Sequence, residues 1–375
     1  TYPSAKAEFS LLAGGDITTG KLGNNVNITQ SDTDPTLLPS VLNPSLSWED
    51  ASQRLQPFGN SNLIHAKTPV HRGDANPALI QAKGSILSND PLLFSLPKAA
   101  EIRAGKDLMD VSFQIQHADY GITNISAGRD IQFTTPRNAQ GNLLNLTREI
   151  RVAGPGQLWV TSGRTIDLGA SEGIYTIGNT NNSALAEQGA SISIMAGLGE
   201  AAQFGAFAQK YDPLSDKYSK DLTSYMQKRT GDAELDKSGA IAAYQALPEE
   251  QQREFLLAVM FREIRDASSA AAKSGKVADY DAGYAAIEAM FPGAGSKDSK
   301  YSGDLKLFFS KVHTVDGGDI NLMVPGGLVN AGLAVAFAGS KPASQLGIVA
   351  QREGAVNGLV NGDFLVNQSR VFAMD

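Results

Sequence analysis

The chain of 375 residues has no cysteine at all. A cytosolic enzyme of this size usually keeps a few, and a small secreted domain uses them as staples. Their absence suits a protein that crosses a membrane unfolded, because an early disulfide would block threading. Long apolar runs are missing too. No stretch approaches the roughly 18 residues needed to span a bilayer. Charge is sparse: Asp, Glu, Lys and Arg together make up 19% of the chain, and the net charge is −7. An acidic surface attracts neither nucleic acid nor an anionic membrane. No signal peptide is visible, and the chain opens at Thr1 without methionine and stops just after a repeated phrase. Both ends are expected to continue into a longer polypeptide.

Chemical motifs are also scarce. No GxSxG serine elbow, P-loop, GxGxxG fingerprint or kinase signature is expected. The four histidines, His65, His71, His117 and His313, form no HxH or HxxxH pair, so no metal centre is expected. No cofactor is expected either. Glycan-cleaving enzymes need clustered carboxylates on one face. The strands here carry mainly Ser, Thr, Gln and Asn, with no recurring acidic pair.

What the chain has is glycine, 38 residues of it, and a repeated phrase. Leu11–Thr19 reads LLAGGDITT, Ile102–Gln116 reads IRAGKDLMDVSFQIQ, Ile125–Thr135 reads ISAGRDIQFTT, and Thr314–Val324 reads TVDGGDINLMV. A looser copy, LVNGDFLV, spans Leu359–Val366. Short alternating apolar and polar runs surround these phrases, as in LWVTSG and SISIMAG, and each reads as a strand of roughly four to six residues. Asp107 and Asp130 stand 23 residues apart. A recurring local phrase at that spacing points to a solenoid of stacked coils, since each coil must supply the same corner chemistry again. About a dozen coils are expected, at roughly 22 residues each.

The phrase has a structural reading. Gly14, Gly105, Gly128 and Gly317 would take a positive φ at each corner. Asp16, Asp107, Asp130, Asp319 and Asp363 would accept from backbone amides that the turn leaves unpaired. The following Ile, Leu or Phe would stack inward. Calcium is disfavoured, because each copy offers one carboxylate and the ion takes six to eight oxygens.

Between about Lys210 and Lys311 the texture changes to Ala, Lys, Glu and Gln. Leu214, Tyr218, Leu222, Tyr225 and Met226 share a helical face, as do Val277, Tyr280, Tyr284, Ile287 and Phe291. Pro248 with the following acids marks a helix start. About four helices are expected. The helical spacing of Tyr218, Tyr225, Tyr244, Tyr280 and Tyr284 fits bundle core better than a receptor-facing patch. The expected organisation is mainly β: a parallel β-helix over 1–205, with 31–60 as a surface loop or excursion, an inserted α-helical bundle over 206–311, and the β-helix continued over 312–375, truncated at its end.

Two further features were weighed. Arg72-Gly73-Asp74 matches the tripeptide that integrins read, but PVHRGDANPALI also makes sense as a turn between strands. Five glycosylation sequons, at Asn27, Asn124, Asn145, Asn181 and Asn367, fit the Ser/Thr/Asn-rich composition.

The phrases AGRDIQFTT, GQLWVTSGRTIDLGAS, DGGDINLMVPGGLVN and GIVAQREGAVNGLVNGDFLVNQSRVFAMD resemble those of large bacterial exoproteins of the filamentous haemagglutinin family. The resemblance is strongest over 100–200 and 312–375. It implies a right-handed parallel β-helix fibre at the surface of Gram-negative bacteria, exported through an outer-membrane transporter in two-partner secretion. It also implies roles in adhesion, biofilm formation, virulence or delivery of a C-terminal toxin. The expectation is a monomeric, non-enzymatic, extracellular segment that binds an unnamed host, glycan or bacterial receptor. The alternatives are a glycan-processing β-helix enzyme and a passive spacer in a contact-dependent toxin-delivery protein.

Overall fold

The computed structural model describes residues 4, 7–20, 25–34, 36, 41, 68–136, 139–141, 148–179, 182–199, 201–294, 296, 298–335 and 341–374. Most of the expected excursion at 31–60 lies outside the described residues, as do His65, Asn145 and Asn181. The chain forms two compact units. One joins Thr1–Gly199 to Tyr301–Asp375, and the other is Glu200–Lys300.

The first unit is built from parallel strands in three rows. One row is a sheet of eight: β1 (Ser10–Ala13), β4 (Ala78–Ala82), β6 (Ala100–Ala104), β8 (Gly121–Ala127), β11 (Gly156–Ser162), β14 (Ser191–Met195), β17 (Ile320–Val324) and β20 (Val356–Val360). A second sheet carries two rows. Its short row is β2 (Ile17–Thr18), β9 (Ile131–Gln132), β12 (Ile166–Asp167), β15 (Leu305–Lys306), β18 (Val329–Asn330) and β21 (Phe364–Leu365). Its longer row is β3 (Val26–Thr29), β10 (Glu149–Ala153), β13 (Gly173–Ile177), β16 (Lys311–Thr314), β19 (Gly347–Ala350) and β22 (Arg370–Ala373). β5 (Ile86–Leu96) and β7 (Leu108–Gln116) run through both rows. β5 shifts register between Leu87 and Leu92, and β7 bends at Asp110, whose φ is 59°. Aspartate is one of the few residues with a side chain that tolerates that conformation.

In sequence, the chain visits the eight-stranded sheet, then the short row, then the longer row, and begins again one strand further on. Eight such circuits are in register among the described residues. That is fewer than the expected dozen because connecting segments lengthen many circuits. Ile102 pairs with Ile125 after a short circuit, but Ile125 pairs with Val160 and Ile320 with Val356 after longer ones.

Period-2 alternation makes these strands stack. Inward positions fall on inward positions of the next circuit, where strands lie roughly 4.8 Å apart. The residue after each corner position builds one apolar column: Ile17, Ile86, Leu108, Ile131, Ile166, Leu305, Val329 and Phe364. Those from Ile86 to Val329 are fully buried. A second column runs Ile28, Phe94, Phe113, Ile150, Ile174, Val312, Ile348 and Val371. The rings of Phe94 and Phe113 stack 5.6 Å apart, within 12° of parallel. Each fully buried side chain of this kind contributes about 1.5–3 kcal/mol.

Leu305 and Leu307, expected within the helical segment, are core residues of this first unit. SGDL at 302–305 is another copy of the corner phrase, and the strand pattern resumes there rather than at Val312.

The corner glycines serve a purpose other than the expected one. Gly14, Gly105 and Gly128 do not have positive φ. Stacking explains two of them. A Cβ on Gly105 would meet the Lys83 carbonyl oxygen at 2.1 Å, and one on Gly128 would meet that of Gly105 at 2.3 Å. Gly163 continues the column over Gly128 at 2.2 Å. Gly317, with φ 86°, does fit the conformational reason.

The second unit holds five α-helices among its described residues, one more than expected: Phe204–Lys210, Ser219–Thr230, Lys237–Gln245, Glu249–Ser274 and Asp281–Met290. Glu249 and Glu250 occupy the first turn of the long helix, at the positive end of its dipole. Gly275 closes it in the left-handed conformation, φ 69°. Phe255, Leu256, Leu257, Val259, Met260 and Phe261 are all buried, so this helix is covered around more than one stripe. Tyr225 stacks on Phe255 at 5.4 Å, and Tyr244 meets the same ring edge-on at 5.6 Å. The face expected at Val277–Phe291 is only half correct. A 3-10 turn covers Val277–Tyr280 before the helix begins, which breaks the 3.6 period. The helix itself buries Gly283, Ala286 and Met290. Val277 is 80% exposed and Tyr284 66% exposed.

Gly128→Ala should destabilise the first unit by about 1–3 kcal/mol, because a carbonyl oxygen occupies the space of the new methyl. Gly14→Ala, with nothing within 4 Å of its Cβ, should change stability by no more than about 0.5 kcal/mol. Denaturant midpoints of the two variants check the contrast.

Candidate functional site

The corners carry a chain of side-chain-to-amide hydrogen bonds. Asp16 Oδ1 accepts from the Ser85 N–H at 2.7 Å, and Ser85 Oγ accepts from Asp107 N–H at 3.4 Å. Asp107 Oδ1 accepts from Asp130 N–H at 3.3 Å, and Asp130 Oδ1 from Thr165 N–H at 3.0 Å. Thr165 Oγ1 then accepts from Asp304 N–H at 3.3 Å, and Asp304 Oδ1 from Leu328 N–H at 3.1 Å. Carbonyls answer in the other direction. Leu108 N–H donates to Asp130 O at 2.9 Å and Ile131 N–H to Thr165 O at 3.0 Å. Asp363 presents its carbonyl to Val329 N–H at 2.9 Å. At two corners the preceding arginine adds a charge link: Arg129 bonds Asp107, and Arg164 bonds Asp130 at 2.5 Å.

Asp319 belongs to a different corner. It precedes β17 of the eight-stranded sheet, whereas Asp16, Asp107, Asp130 and Asp363 precede strands of the other sheet. It performs the same task there, accepting from Ala355 N–H at 2.8 Å, while its own N–H donates to Ser191 Oγ at 3.0 Å. The sequence reading missed Ser85, Thr165 and Asp304. A search for any hydroxyl or carboxylate between a glycine-containing pair and an apolar residue would have found them.

Arg72-Gly73-Asp74 forms a strap over the corners. The Asp74 carboxylate is turned inward, with Oδ2 2.9 Å from Lys98 Nζ and 3.1 Å from His71 Nδ1. Its other oxygen accepts from Asn76 N–H at 3.1 Å. Burial raises this carboxyl, but hydrogen bonds from Lys98, the Asn76 amide and His71 outweigh it and hold the group below the usual range. Gly73 N–H donates to Asp119 Oδ2 at 2.6 Å, Arg72 Nε lies 3.6 Å from Asp119 Oδ1, and Arg72 donates to Ala184 O at 2.6 Å. Lys98, Asp119 and Ala184 lie in the connections after β5, β7 and β13. A receptor reading the tripeptide needs both charged groups available, and here both are engaged.

The longer row of the second sheet carries a polar and aromatic strip. Gln114, Arg151, Tyr175 and His313 share one register. Tyr175 stacks on His313 at 5.5 Å, and Lys311 Nζ sits 5.7 Å from the Tyr175 ring centre. Glu149 is buried among them. Gln114 Nε2 donates to it at 2.7 Å, the Tyr175 hydroxyl donates to its other oxygen, and Arg151 Nε lies 3.5 Å away. Burial, then the Glu149 charge, pushes the Tyr175 phenol up. Burial lowers His313 to about 4. Each Glu149 oxygen thus accepts a hydrogen bond from within the strip, and Tyr175 keeps its proton.

Against the expectation that no GxSxG is present, Gly169-Ala170-Ser171-Glu172-Gly173 has the spacing of a serine nucleophile elbow. Its surroundings are wrong for that chemistry. Ser171 is fully buried in the turn between β12 and β13, and no helix follows. Its hydroxyl donates to Leu168 O at 2.6 Å, accepts from Gly173 N–H at 3.1 Å and lies 3.1 Å from Ser310 Oγ.

His117 is a buried structural residue. One ring nitrogen lies 2.9 Å from Pro155 O and the other 2.8 Å from Thr123 Oγ1, as suits a neutral ring that donates once and accepts once. Burial lowers it to about 4 against the opposing Pro155 bond. Two of the sequon asparagines are also engaged within the fold. Asn124 donates to Glu101 at 2.8 Å and Asn367 to Asn330 at 3.0 Å. Among the described residues, no group of three or more His, Asp or Glu is placed to hold a metal ion, and no helix is long and apolar enough to cross a membrane.

The five tyrosines expected in the bundle core divide. Tyr218 donates to Glu263 at 2.9 Å, Tyr225 to Glu254 at 2.8 Å and Tyr244 to Gln252 O at 3.2 Å, all from within the bundle. Tyr280 and Tyr284 are exposed.

No protein-family model, curated protein or solved structure matches the chain.

Asp130→Ala should cost about 1–3 kcal/mol by orphaning the Thr165 amide. Asp130→Asn keeps an acceptor there and loses only the half-exposed Arg164 pairing, so it should cost under about 1 kcal/mol. Comparable losses in both variants would mean that charge, not amide satisfaction, is what matters. His117 gives a pH signature. Its folded pKa lies below the unfolded value, so the unfolded chain takes up the proton first. Stability should fall as pH drops from about 6.5 toward 4, by up to about 1.4 kcal/mol per pH unit. His117→Gln should remove that share of the slope in denaturation midpoints measured from pH 7 to 4.5.

Proposed function

We propose that this chain is a structural and adhesive segment of a secreted, cell-surface exoprotein of the filamentous haemagglutinin type. In this reading its three strand rows are the faces of a right-handed parallel β-helix, and the helical unit is an inserted domain. The supporting observation is the corner ladder, in which a side chain of one circuit satisfies an amide of the next from Asp16 through Leu328. A device of this kind makes each circuit the template for its neighbour, as suits a fibre that folds progressively while its chain emerges from an outer-membrane transporter. The role is mechanical and presentational. The stack supplies rigidity, and the helical unit supplies recognition of a host, bacterial or matrix receptor. A non-enzymatic role is favoured by Glu149, whose oxygens are occupied by Gln114 and Tyr175.

Ser302 N–H donates to Gly197 O at 3.1 Å, so the two ends of the first unit at the insertion are adjacent. Replacing Glu200–Lys300 with a short Gly-Ser link should therefore leave a cooperatively unfolding β protein. Attachment of the purified protein to cells or biofilm matrix should fall several-fold. Full attachment by a folded deletion variant would remove recognition from the helical unit, and a spacer role in toxin delivery would then be the better reading.

A further inference from the structure

The strap at Pro69–Asp74 is anchored by an imidazole. Pro69 and His71 are buried while Arg72 and Gly73 remain exposed. His71 is 3% exposed, and its Nε2 is buried without a hydrogen-bond partner among the described residues. Its Nδ1 shares Asp74 Oδ2 with Lys98 Nζ, at 3.1 and 2.9 Å. One carboxylate oxygen therefore faces a permanent cation and a ring able to become a second. Charge reaches the ring from three places: Asp74 on its own turn, Lys98 in the corner after β5, and Asp32, 7% exposed, in the segment after β3.

We propose that His71 is a proton-operated latch: the neutral ring keeps the strap seated, and the protonated ring lifts it and frees Arg72-Gly73-Asp74 from the corners. In the seated form Nδ1–H donates to Asp74, and Nε2 carries only a lone pair. Protonation puts an N–H on Nε2, which has no hydrogen-bond partner among the described residues, and adds a second positive charge beside Lys98. A buried charged donor without a partner is strongly unfavourable. The lifted turn hydrates it. Asp32 offsets part of this. Burial is the largest influence on His71 and lowers its pKa, and Lys98 lowers it further. Asp74 stays ionised across the same window, because its own pKa is held down.

The direction follows from linkage. The lifted ring has an ordinary pKa of about 6.5 and the seated ring a lower one, so acid favours lifting. The opening equilibrium should rise up to about tenfold per pH unit below about 6.5, and level off at the seated pKa. Lifting also breaks the bonds of Arg72 and Gly73 to Asp119 and Ala184, so the strap releases as a unit.

Amide hydrogen exchange of the full chain, corrected for intrinsic rates, tests the latch between pH 7 and 5. Protection over 69–76 should fall with acid in the wild type and stay flat in His71→Gln. An equal slope in both proteins, or none in the wild type, would overturn the proposal. Lys98→Met gives a second reading. Without the lysine the protonated ring loses one opposing charge while its burial is unchanged, so the acid-induced loss of protection should be shallower than in the wild type. An acid slope steeper than that of the wild type would also sink the latch. If either variant fails to fold, titration of the wild-type His71 ring by NMR decides: a midpoint below about 6.5 is required, and one at or above it rules the latch out.

Discussion

At each corner of the first unit a peptide N–H points along the stack, and what accepts it decides whether the next circuit can seat. A buried amide left without an acceptor costs about 1–3 kcal/mol, comparable with the gain from burying one Ile or Leu of the column beside it. Filling the position with Asp, Ser or Thr removes that penalty and fixes the register of the adjoining strands. The apolar column from Ile86 to Val329 depends on that register, since a slip of one residue would turn every inward side chain outward. Glycine follows from the same constraint. Corners this close leave no room for a Cβ at Gly105, Gly128 or Gly163, so the residue is required by the neighbour's carbonyl rather than by its own φ.

The constraint also explains how the stack accommodates interruption. Strands are held by circuits before and after them, so segments between strands can lengthen without disturbing the pairing. The helical unit enters at the corner between β14 and β15. There Gly197 N–H donates to Arg164 O at 2.6 Å, and Ser302 N–H reaches back to Gly197 O. The chain leaves and returns at adjacent points, and loop-closure entropy grows only slowly with the length of the excursion. Asp304 then resumes the ladder directly above Thr165. An insertion at mid-strand would have broken both ladder and column.

Much of this pattern was readable from residues. Strand alternation, the inward residue after each corner and the backbone role of the aspartates depend on local order in the chain. Three things were not readable, each for a physical reason. The purpose of Gly128 lies in a carbonyl of another circuit, which no local phrase reveals. Asp319 repeats the words of Asp130 at a different corner, because any corner with an outward-pointing amide can use the same chemistry. Val277, Tyr280 and Tyr284 are all exposed, because the helix turns Gly283, Ala286 and Met290 inward instead, and periodicity alone does not say which face is covered. Substitution also hid members of the ladder: Ser85 and Thr165 accept as Asp does, so the motif is defined by acceptor and position and not by residue name.

The same distinction separates motif from site throughout the molecule. Ser171 has the spacing of a nucleophile and is a turn clamp; Arg72-Gly73-Asp74 has the letters of a recognition tripeptide and is a strap. Glu149 has the carboxylate of a catalyst but no free oxygen to use. In a chain with only 19% charged residues, many of its ionised groups hold neighbouring circuits together. A group bound that way is reactive or recognisable only when its partner lets go. His71 stands apart on this count, because it shares Asp74 with the Lys98 ammonium and its second nitrogen has no hydrogen-bond partner among the described residues. Adding a proton there works against the contacts that hold the strap. Function in such a stack is therefore expected at attachments that can release, and not at the rungs, whose bonds the neighbouring circuits keep in place.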